Sequence, residues 1–192
     1  DVVVRAKSTS LNYHDIFTRN GMPGIKISMP MICGLDVAGE IAEIGANVSG
    51  WKIGERVLID PRNRVEGGLV GETIHGGLAE YCRVREHQLV RIPDGVSFDQ
   101  ASSLPVAYGT AHRMMMTIGQ VKSDDKILIL GASGGVGTGA LLLAKMAGAE
   151  VVVCASSDSK MEKLKSLGAD HAMTYMNNEF HKGVYELYGK PG

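Results

Sequence analysis

Val2-Val3-Val4 opens the chain as a β-branched run, and the Arg5-Ala6-Lys7 that follows alternates polar with apolar. That pattern predicts a strand with one wet face. Asn12 to Arg19 is a short polar–apolar stretch closed by Asn20-Gly21, and it predicts a brief helix or turn. Short β-like runs follow at Val37–Ile44, Arg56–Ile59, Ala79–Arg85 and Leu89–Ile92, separated by Gly-, Pro- and Asn-rich turns. Strands at this spacing predict an antiparallel barrel or sandwich. Ser97 opens helical sequence, with Ala111–Thr117 its best-formed part. From Lys126 the texture changes. Ile127-Leu128-Ile129-Leu130 is a continuous apolar run, Gly131–Gly137 follows at once, and Val136, Ala140, Leu143 and Ala147 then recur at helical spacing up to Gly148. Val151–Val153 predicts a second buried strand. Ser159-Lys160-Met161-Glu162 has the form of a capping box opening a helix that Gly168 ends. His171–Tyr175 predicts a third strand and Glu179–Tyr188 a third helix. A β-α-β-α-β-α order implies a parallel sheet with helices packed on it.

Composition narrows the function classes. Of 192 residues 44% are hydrophobic, and 20 Lys plus Arg against 21 Asp plus Glu leave a net charge of −1. A phosphate-binding surface normally leaves a basic surplus, so nucleic acid is not the expected partner. No apolar run reaches the ~18 residues needed to span a bilayer, and the first residues lack a secretory pattern. Cys33, Cys82 and Cys154 are few, odd in number and far apart, which fits reduced thiols in the cytoplasm better than a disulfide framework.

The segment Gly131-Ala132-Ser133-Gly134-Gly135-Val136-Gly137 leaves a strand and enters a helix inside a βαβ unit, the context in which a GxGxxG loop binds a dinucleotide. Gly134 lets the backbone approach a pyrophosphate, Gly137 lets helix and strand pack closely, and the first helical amides of Gly135 and Val136 favour the anion, with Ser133 beside them. No Gly-Lys-Ser/Thr follows, which excludes a Walker loop. An acid at the end of the second strand would hold the ribose hydroxyls of NAD(H). Val151–Ser157 has none, and Ser156 and Lys160 instead offer a hydroxyl and a cation to a 2′-phosphate. The expected cofactor is NADP(H), with NAD(H) as the alternative.

Five ordered motifs then resemble a known family: Leu11-Asn12-Tyr13-His14-Asp15, Gly34–Glu40, Trp51–Val57, Gly76–Tyr81 and Gly131–Gly137. Together they look like the medium-chain dehydrogenase/reductase superfamily, on its quinone oxidoreductase and zinc-type alcohol dehydrogenase-like side. The resemblance implies an α/β protein with a GroES-like β-barrel over 1–95, connecting helices over 96–122, and over 123–192 the first half of a Rossmann doubly wound parallel sheet. The 67 residues from Lys126 to Gly192 hold only one such half, so the chain is expected to be an internal portion of a longer enzyme. In the zinc-dependent branch a cysteine matches Asn12, Gly-His-Glu matches Gly34-Leu35-Asp36, and a third ligand matches Val106. Here the residues are Asn, Leu and Val, and no metal is expected. A set built from His14, Asp15, Cys33 and Asp36 has no known ligand spacing.

The implied reaction is therefore hydride transfer to a quinone or another α,β-unsaturated carbonyl, with an aldehyde as a further substrate class. The resemblance places Asn12 and Asp15 on the cleft side of the barrel, Thr110 near the nicotinamide and Tyr175 near the adenosine phosphate. Tyr13 and Tyr108 could donate a proton or simply pack, and Asn12 and Asp15 could equally cap the short helix. The six histidines show no mutual spacing and carry no assigned role. A homodimer or tetramer is expected of the full-length protein. The competing readings are metal-dependent alcohol dehydrogenation and a nucleotide-binding module without turnover.

Overall fold

A computed structural model of the chain describes residues 1–21, 23–176 and 179–190. The chain divides into two compact units, Asp1–Val106 and Ala107–Gly192.

In the first unit, β1 (Val2–Ser10), β2 (Asp36–Ile44), β3 (Arg56–Ile59), β4 (Tyr81–Val84) and β5 (Leu89–Arg91) form one antiparallel sheet in the order β4-β1-β2-β3-β5. Alternate residues of all five strands meet in one core. Val2, Val4, Val37, Ile41, Val57, Ile59, Cys82, Val84 and Leu89 are buried there, joined by Val70 from a loop. The opposite face of β2 carries Ala38, which packs with Ile92 and with Ala101 of α2 (Phe98–Ser102). Ser97 caps α2 reciprocally: its Oγ accepts the Gln100 N–H at 3.1 Å, and Gln100 Oε1 accepts the Ser97 N–H at 2.9 Å. β1 is irregular, with register shifts between Val3 and Val4 and between Ala6 and Ser8. Opposite it the backbones close up, and a Cβ on Gly39 would lie 2.1 Å from the Arg5 carbonyl oxygen. Only glycine fits there. α1 (Tyr13–Asn20) follows β1 directly.

In the second unit, α3 (Ala107–His112) continues into a π-turn over Arg113–Ile118, so the expected helix over Ala111–Thr117 widens midway. Met115 is buried, Met116 packs at the core edge and Met114 is exposed. β6 (Lys126–Leu130), β7 (Glu150–Ala155) and β8 (His171–Thr174) are parallel in sequential order, connected by α4 (Gly135–Met146) and α5 (Asp158–Ser166); α6 (Phe180–Tyr188) follows. Val151, Val153 and Ala155 pack with Leu141, Ala144 and Leu164 beneath those helices.

One sequence expectation is corrected. The cap of α5 is Ser157, not Ser159, and its side chain caps no amide. Ser159 and Glu162 lie inside the helix, and Ser159 Oγ sits 3.2 Å from Ser157 Oγ. β7 delivers the chain into the helix two residues earlier than the Ser-x-x-Glu spacing suggests. Asp158 consequently occupies the first helical position, where its charge complements the helix dipole.

Candidate cofactor and substrate sites

The glycine loop sits at the C-terminal end of β6. Gly131 turns the chain with φ +66°, a conformation that favours glycine. The buried Ala132 is pinned on both sides: its N–H donates to the Cys154 carbonyl at 3.1 Å, and its carbonyl accepts Thr138 Oγ at 3.0 Å. Gly134 then caps α4 with no side chain over the first turn. That turn therefore presents backbone amides and the positive end of a helix dipole, an arrangement suited to a phosphate. The glycines divide their roles. A Cβ on Gly137 would lie 2.7 Å from Ala132 Cα, so this glycine seats the helix against the loop. One on Gly134 would meet only the Gly131 carbonyl oxygen, at 3.5 Å, so that position is open. Gly135 would touch Ala107, and Gly139 would touch Ala111 and Tyr108. These two let α3 lie close on α4, a packing duty that the sequence reading credited to no glycine beyond Gly137. Ser133 is exposed and Val136 packs partly into the core.

At the end of β7, Ala155 is wholly buried and Ser156 half-buried, and Lys160 Nζ reaches back one helical turn to donate to Ser156 Oγ at 3.0 Å. Tyr175 follows β8, half-buried, its N–H directed at the Ala155 carbonyl at 3.4 Å. Gly134, Ser156, Lys160 and Tyr175 thus all lie where strands of one parallel sheet end, the usual place for a ligand in such sheets. Thr110 is exposed on α3. These residues suit a dinucleotide: amides for the pyrophosphate, and a hydroxyl–ammonium pair with no carboxylate at the strand end.

In the first unit the chemistry gathers around two carboxylates. Asp15 is buried, with Oδ2 accepting the Asn12 N–H at 2.8 Å and Oδ1 the Gly34 N–H at 2.9 Å. Asn12 and Asp15 thus form the capping box of α1. Asp36 is wholly buried. Its Oδ2 accepts Ser10 Oγ at 2.6 Å and Asn12 Nδ2 at 2.8 Å, and its Oδ1 accepts the Val106 N–H at 2.9 Å. Burial pushes the Asp36 carboxyl above the usual range; the three hydrogen bonds pull it back, and neighbouring Asp15 adds to the rise. His14 Nε2 lies 2.5 Å from Glu72 Oε2, in a loop that backs onto Gly34. Tyr13 is 77% exposed, its ring 6.2 Å from Phe17. Tyr108, by contrast, belongs to the α3–α4 packing.

Two of the three positions matched to zinc ligands, Asn12 and Val106, hydrogen-bond Asp36, and the third, Leu35, precedes it in the chain. Leu35 and Val106 side chains have no lone pair to give, and all three donors that surround Asp36 point at its oxygens. Among the described residues no group of three His, Cys, Asp or Glu is placed to hold a metal. This donor set does not suit zinc. In the sequence Asp36 enters only in a metal set without known ligand spacing, and Glu72 in none. An acid opening the apolar run Val37-Ala38 was the available signal, and the first four residues of β2 are indeed buried.

At the opposite end of the parallel sheet, Tyr188 donates to Glu150 at 2.7 Å, with His171 on the same carboxylate at 3.2 Å. The tyrosine is pushed up to about 12 by burial and by that carboxylate, which is itself held below its usual range by the same hydrogen bond. This group lies away from the glycine loop and fastens α6.

An antiparallel GroES-like unit followed by a glycine-loop β-α-β array defines a class, and the chain belongs to the medium-chain dehydrogenase/reductase superfamily. Residues 1–94 match the alcohol dehydrogenase GroES-like domain and residues 135–192 the zinc-binding dehydrogenase domain. The chain is 35% identical over 186 residues to a zinc-type alcohol dehydrogenase-like protein of Schizosaccharomyces pombe, covering 91% of this chain and 54% of the relative. It is 38% identical over 181 residues to a 2-methylene-furan-3-one reductase of Solanum lycopersicum, covering 93% and 46%. Among solved structures, a quinone oxidoreductase of Pseudomonas syringae superposes with TM-score 0.84 at 33% identity, covering 98% of this chain and 55% of that one. The chain spans about half the length of the curated relatives it matches. Among the described residues, no helix is long and apolar enough to cross a membrane.

Proposed function

We propose that the protein of which this chain forms part is an NADP(H)-dependent, zinc-independent oxidoreductase that reduces a quinone or an α,β-unsaturated carbonyl. The observation that carries the cofactor reading is the pairing of Lys160 with Ser156 beside an uncapped glycine-loop helix. Relatives named quinone oxidoreductase and 2-methylene-furan-3-one reductase support the substrate class.

The cofactor, when bound, supplies the hydride. The protein's part is to bind and orient. Amides of Gly135, Val136 and Gly137 would receive the pyrophosphate, with Gly134 leaving the approach open and Ser133 alongside; Ser156 and Lys160 would receive the 2′-phosphate; Tyr175 would border the adenosine side and Thr110 the nicotinamide. Asn12 orients the substrate, Asp15 holds Asn12 and Gly34 in place, and the exposed Tyr13 hydroxyl is the proton donor. A conjugated carbonyl spreads the arriving negative charge onto its oxygen, and a proton from a hydroxyl or from water then completes the reduction, at oxygen in a quinone and at the α-carbon in an enone. The donor set at Asn12, Leu35 and Val106 supports a reaction without a metal Lewis acid. Three scattered cysteines support a cytoplasmic setting, and a homodimer or tetramer is the assembly expected of the full-length form.

The test is made on the full-length protein. NADPH and NADH are titrated by fluorescence, and nicotinamide absorbance is then followed with quinones, enones and aldehydes. NADPH should bind more tightly, and quinones or enones should oxidise it. Lys160→Ala should cost NADPH about tenfold or more in affinity, as loss of a hydrogen bond to a charged group does, and should leave NADH unchanged. Equal affinities would overturn the cofactor reading. Activity that requires added zinc and disappears with a chelator would overturn the metal-free reaction, and tight binding without turnover would make the protein a nucleotide-binding module.

A further inference from the structure

We infer that Asn20, the last residue of α1, is a site of spontaneous deamidation, with the amide nitrogen of Gly21 as the attacking atom. The site lies wholly within the first unit and needs no ligand, cofactor or partner.

Asparagine is a thermolabile residue because its side chain reacts with its own main chain. The amide nitrogen of the next residue bonds to Cγ and gives up its proton, the Cγ–Nδ2 bond breaks, and ammonia leaves. Water then opens the cyclic imide. Opening at the bond to Cγ leaves aspartate; opening at the bond to the main-chain carbonyl carbon leaves isoaspartate. One water is consumed for each ammonia released, and no oxidant or reductant takes part. Three features govern the rate: crowding at the attacking nitrogen, the hydrogen bonds that hold that nitrogen and the carboxamide, and the freedom of the peptide between them.

Asn20 is favoured on all three. Gly21 has no side chain beside its nitrogen, and even an added Cβ would meet nothing within 4 Å among the described residues. Its N–H reaches the Thr18 carbonyl at 3.4 Å, outside the range of about 2.7–3.2 Å of a well-made bond. With φ +83° and ψ 133°, Gly21 has already left the helix, so α1 constrains the joining peptide from one side only. Asn20 itself is exposed, and its carboxamide has no hydrogen-bond partner among the described residues. The other described asparagines are protected. Asn12 Nδ2 is held by Asp36, and Tyr13 follows. Asn63 is buried, its Oδ1 accepting the Val65 and Glu66 N–H groups, and Arg64 follows. Asn47 is exposed, but a β-branched Val48 follows, its N–H donating to the Gly45 carbonyl at 3.0 Å. The product bears on α1. Aspartate puts a carboxylate at the negative end of the helix dipole, and isoaspartate adds a carbon to the main chain where the helix stops. Both weaken the last turn, at the end away from the Asn12–Asp15 capping box.

The experiment incubates the full-length protein at body temperature and mildly alkaline pH, one portion folded and one unfolded in urea. Brief digestion with trypsin, which cuts after Arg19 and Lys26, isolates the peptide Asn20–Lys26. Mass spectrometry follows the replacement of NH2 by OH, and methyl transfer by an isoaspartyl methyltransferase counts the isoaspartate. The folded protein should accumulate the modified peptide at a rate close to that of the unfolded chain, ahead of modification at Asn12, Asn47 or Asn63. Asn20→Gln needs a larger ring and should lose the modification at this position. Gly21→Ala sets a methyl group beside the attacking nitrogen and should slow the reaction in folded and unfolded protein alike, so the result does not depend on how the variant folds. Residue 20 intact in the folded protein while the unfolded chain is modified would overturn the inference, because α1 would then protect its own end. Modification of Asn12, Asn47 or Asn63 ahead of Asn20 would overturn it too, as would a rate that Gly21→Ala leaves unchanged.

Discussion

Gly137→Ala tests the assignment of the glycine loop from stability, without presuming any ligand. The added Cβ would stand 2.7 Å from Ala132 Cα, 2.8 Å from the Gly131 carbonyl oxygen and 3.0 Å from the Ala132 carbonyl carbon. All three are backbone atoms. Ala132 cannot move aside cheaply, because Cys154 and Thr138 hold its peptide groups on both sides. Overpacking of this kind costs ~1–3 kcal/mol. Against it stands the gain from replacing glycine near the start of a helix, up to ~1 kcal/mol. The clash wins, and the net loss should be about 1 kcal/mol, read as a lower urea midpoint at unchanged m-value. Gly134→Ala is the matched control. Its φ of −81° suits any residue, and the nearest atom is 3.5 Å away, so stability should change by less than ~1 kcal/mol, the scale of an N-cap substitution. Its methyl group would nevertheless stand where a pyrophosphate approaches the backbone, and NADPH affinity should fall about tenfold or more. Calorimetric titration alongside denaturation separates the two effects. A Gly137→Ala protein as stable as wild type, or more so, would refute the packing argument. Unchanged cofactor affinity in Gly134→Ala would remove that glycine from the phosphate site.

Two further outcomes follow from the first unit. Ser97→Ala should cost about 1 kcal/mol, since it removes the oxygen that accepts the Gln100 N–H; an unchanged urea midpoint would mean that the cap contributes nothing. The raised pKa of Asp36 gives a pH signature. Its folded-state value lies above the ordinary 3.8, so its contribution to stability is fully present below 3.8 and is lost as pH rises through the folded value. Asp36→Asn has no such window. Its urea midpoint should gain on that of the wild type as pH rises from 3.8 and then run parallel to it, and a difference that is constant with pH would show that no buried charge is carried there.

Strong periodicities in the sequence became elements with close bounds, and weaker ones did not. Arg56–Ile59 is a strand to the residue, and the β-α-β-α-β-α order from Lys126 stands as read. Both signals are continuous along the chain, an apolar run or a helical stripe between glycines. The cap of α5 failed because a Ser-x-x-Glu match fixes spacing but not the point where the preceding strand releases the chain. The π-turn after α3 left no trace in composition. Its widened backbone begins at Arg113, inside a run of residues that would suit an ordinary helix equally well.

The site was legible in proportion to how local its chemistry is. A glycine loop is seven consecutive residues, and in Gly131–Gly137 the close packing at Gly137 and the open position at Gly134 follow from that local order. The Asp36 cluster joins Ser10, Asn12 and Val106, which lie 26, 24 and 70 residues away, so no local pattern announces it. Comparison with the zinc-dependent branch made Asn12, Leu35 and Val106 look like losses, three ligands gone, and drew attention away from the acid beside them. Physical chemistry points the other way. A carboxylate opening β2, whose first four residues are buried, is tenable only if donors come to it, because an unpaired buried charge costs several kcal/mol. Donors must come from segments packed around that strand, and the segments that converge there are those whose metal-binding side chains are missing. The Asn12 amide and the Val106 N–H, both donating to Asp36, are what such an acid requires. Two of those positions and the acid are therefore one feature: a hydrogen-bonded carboxylate that joins the segment Ser10–Asn12 and Val106 to the start of β2.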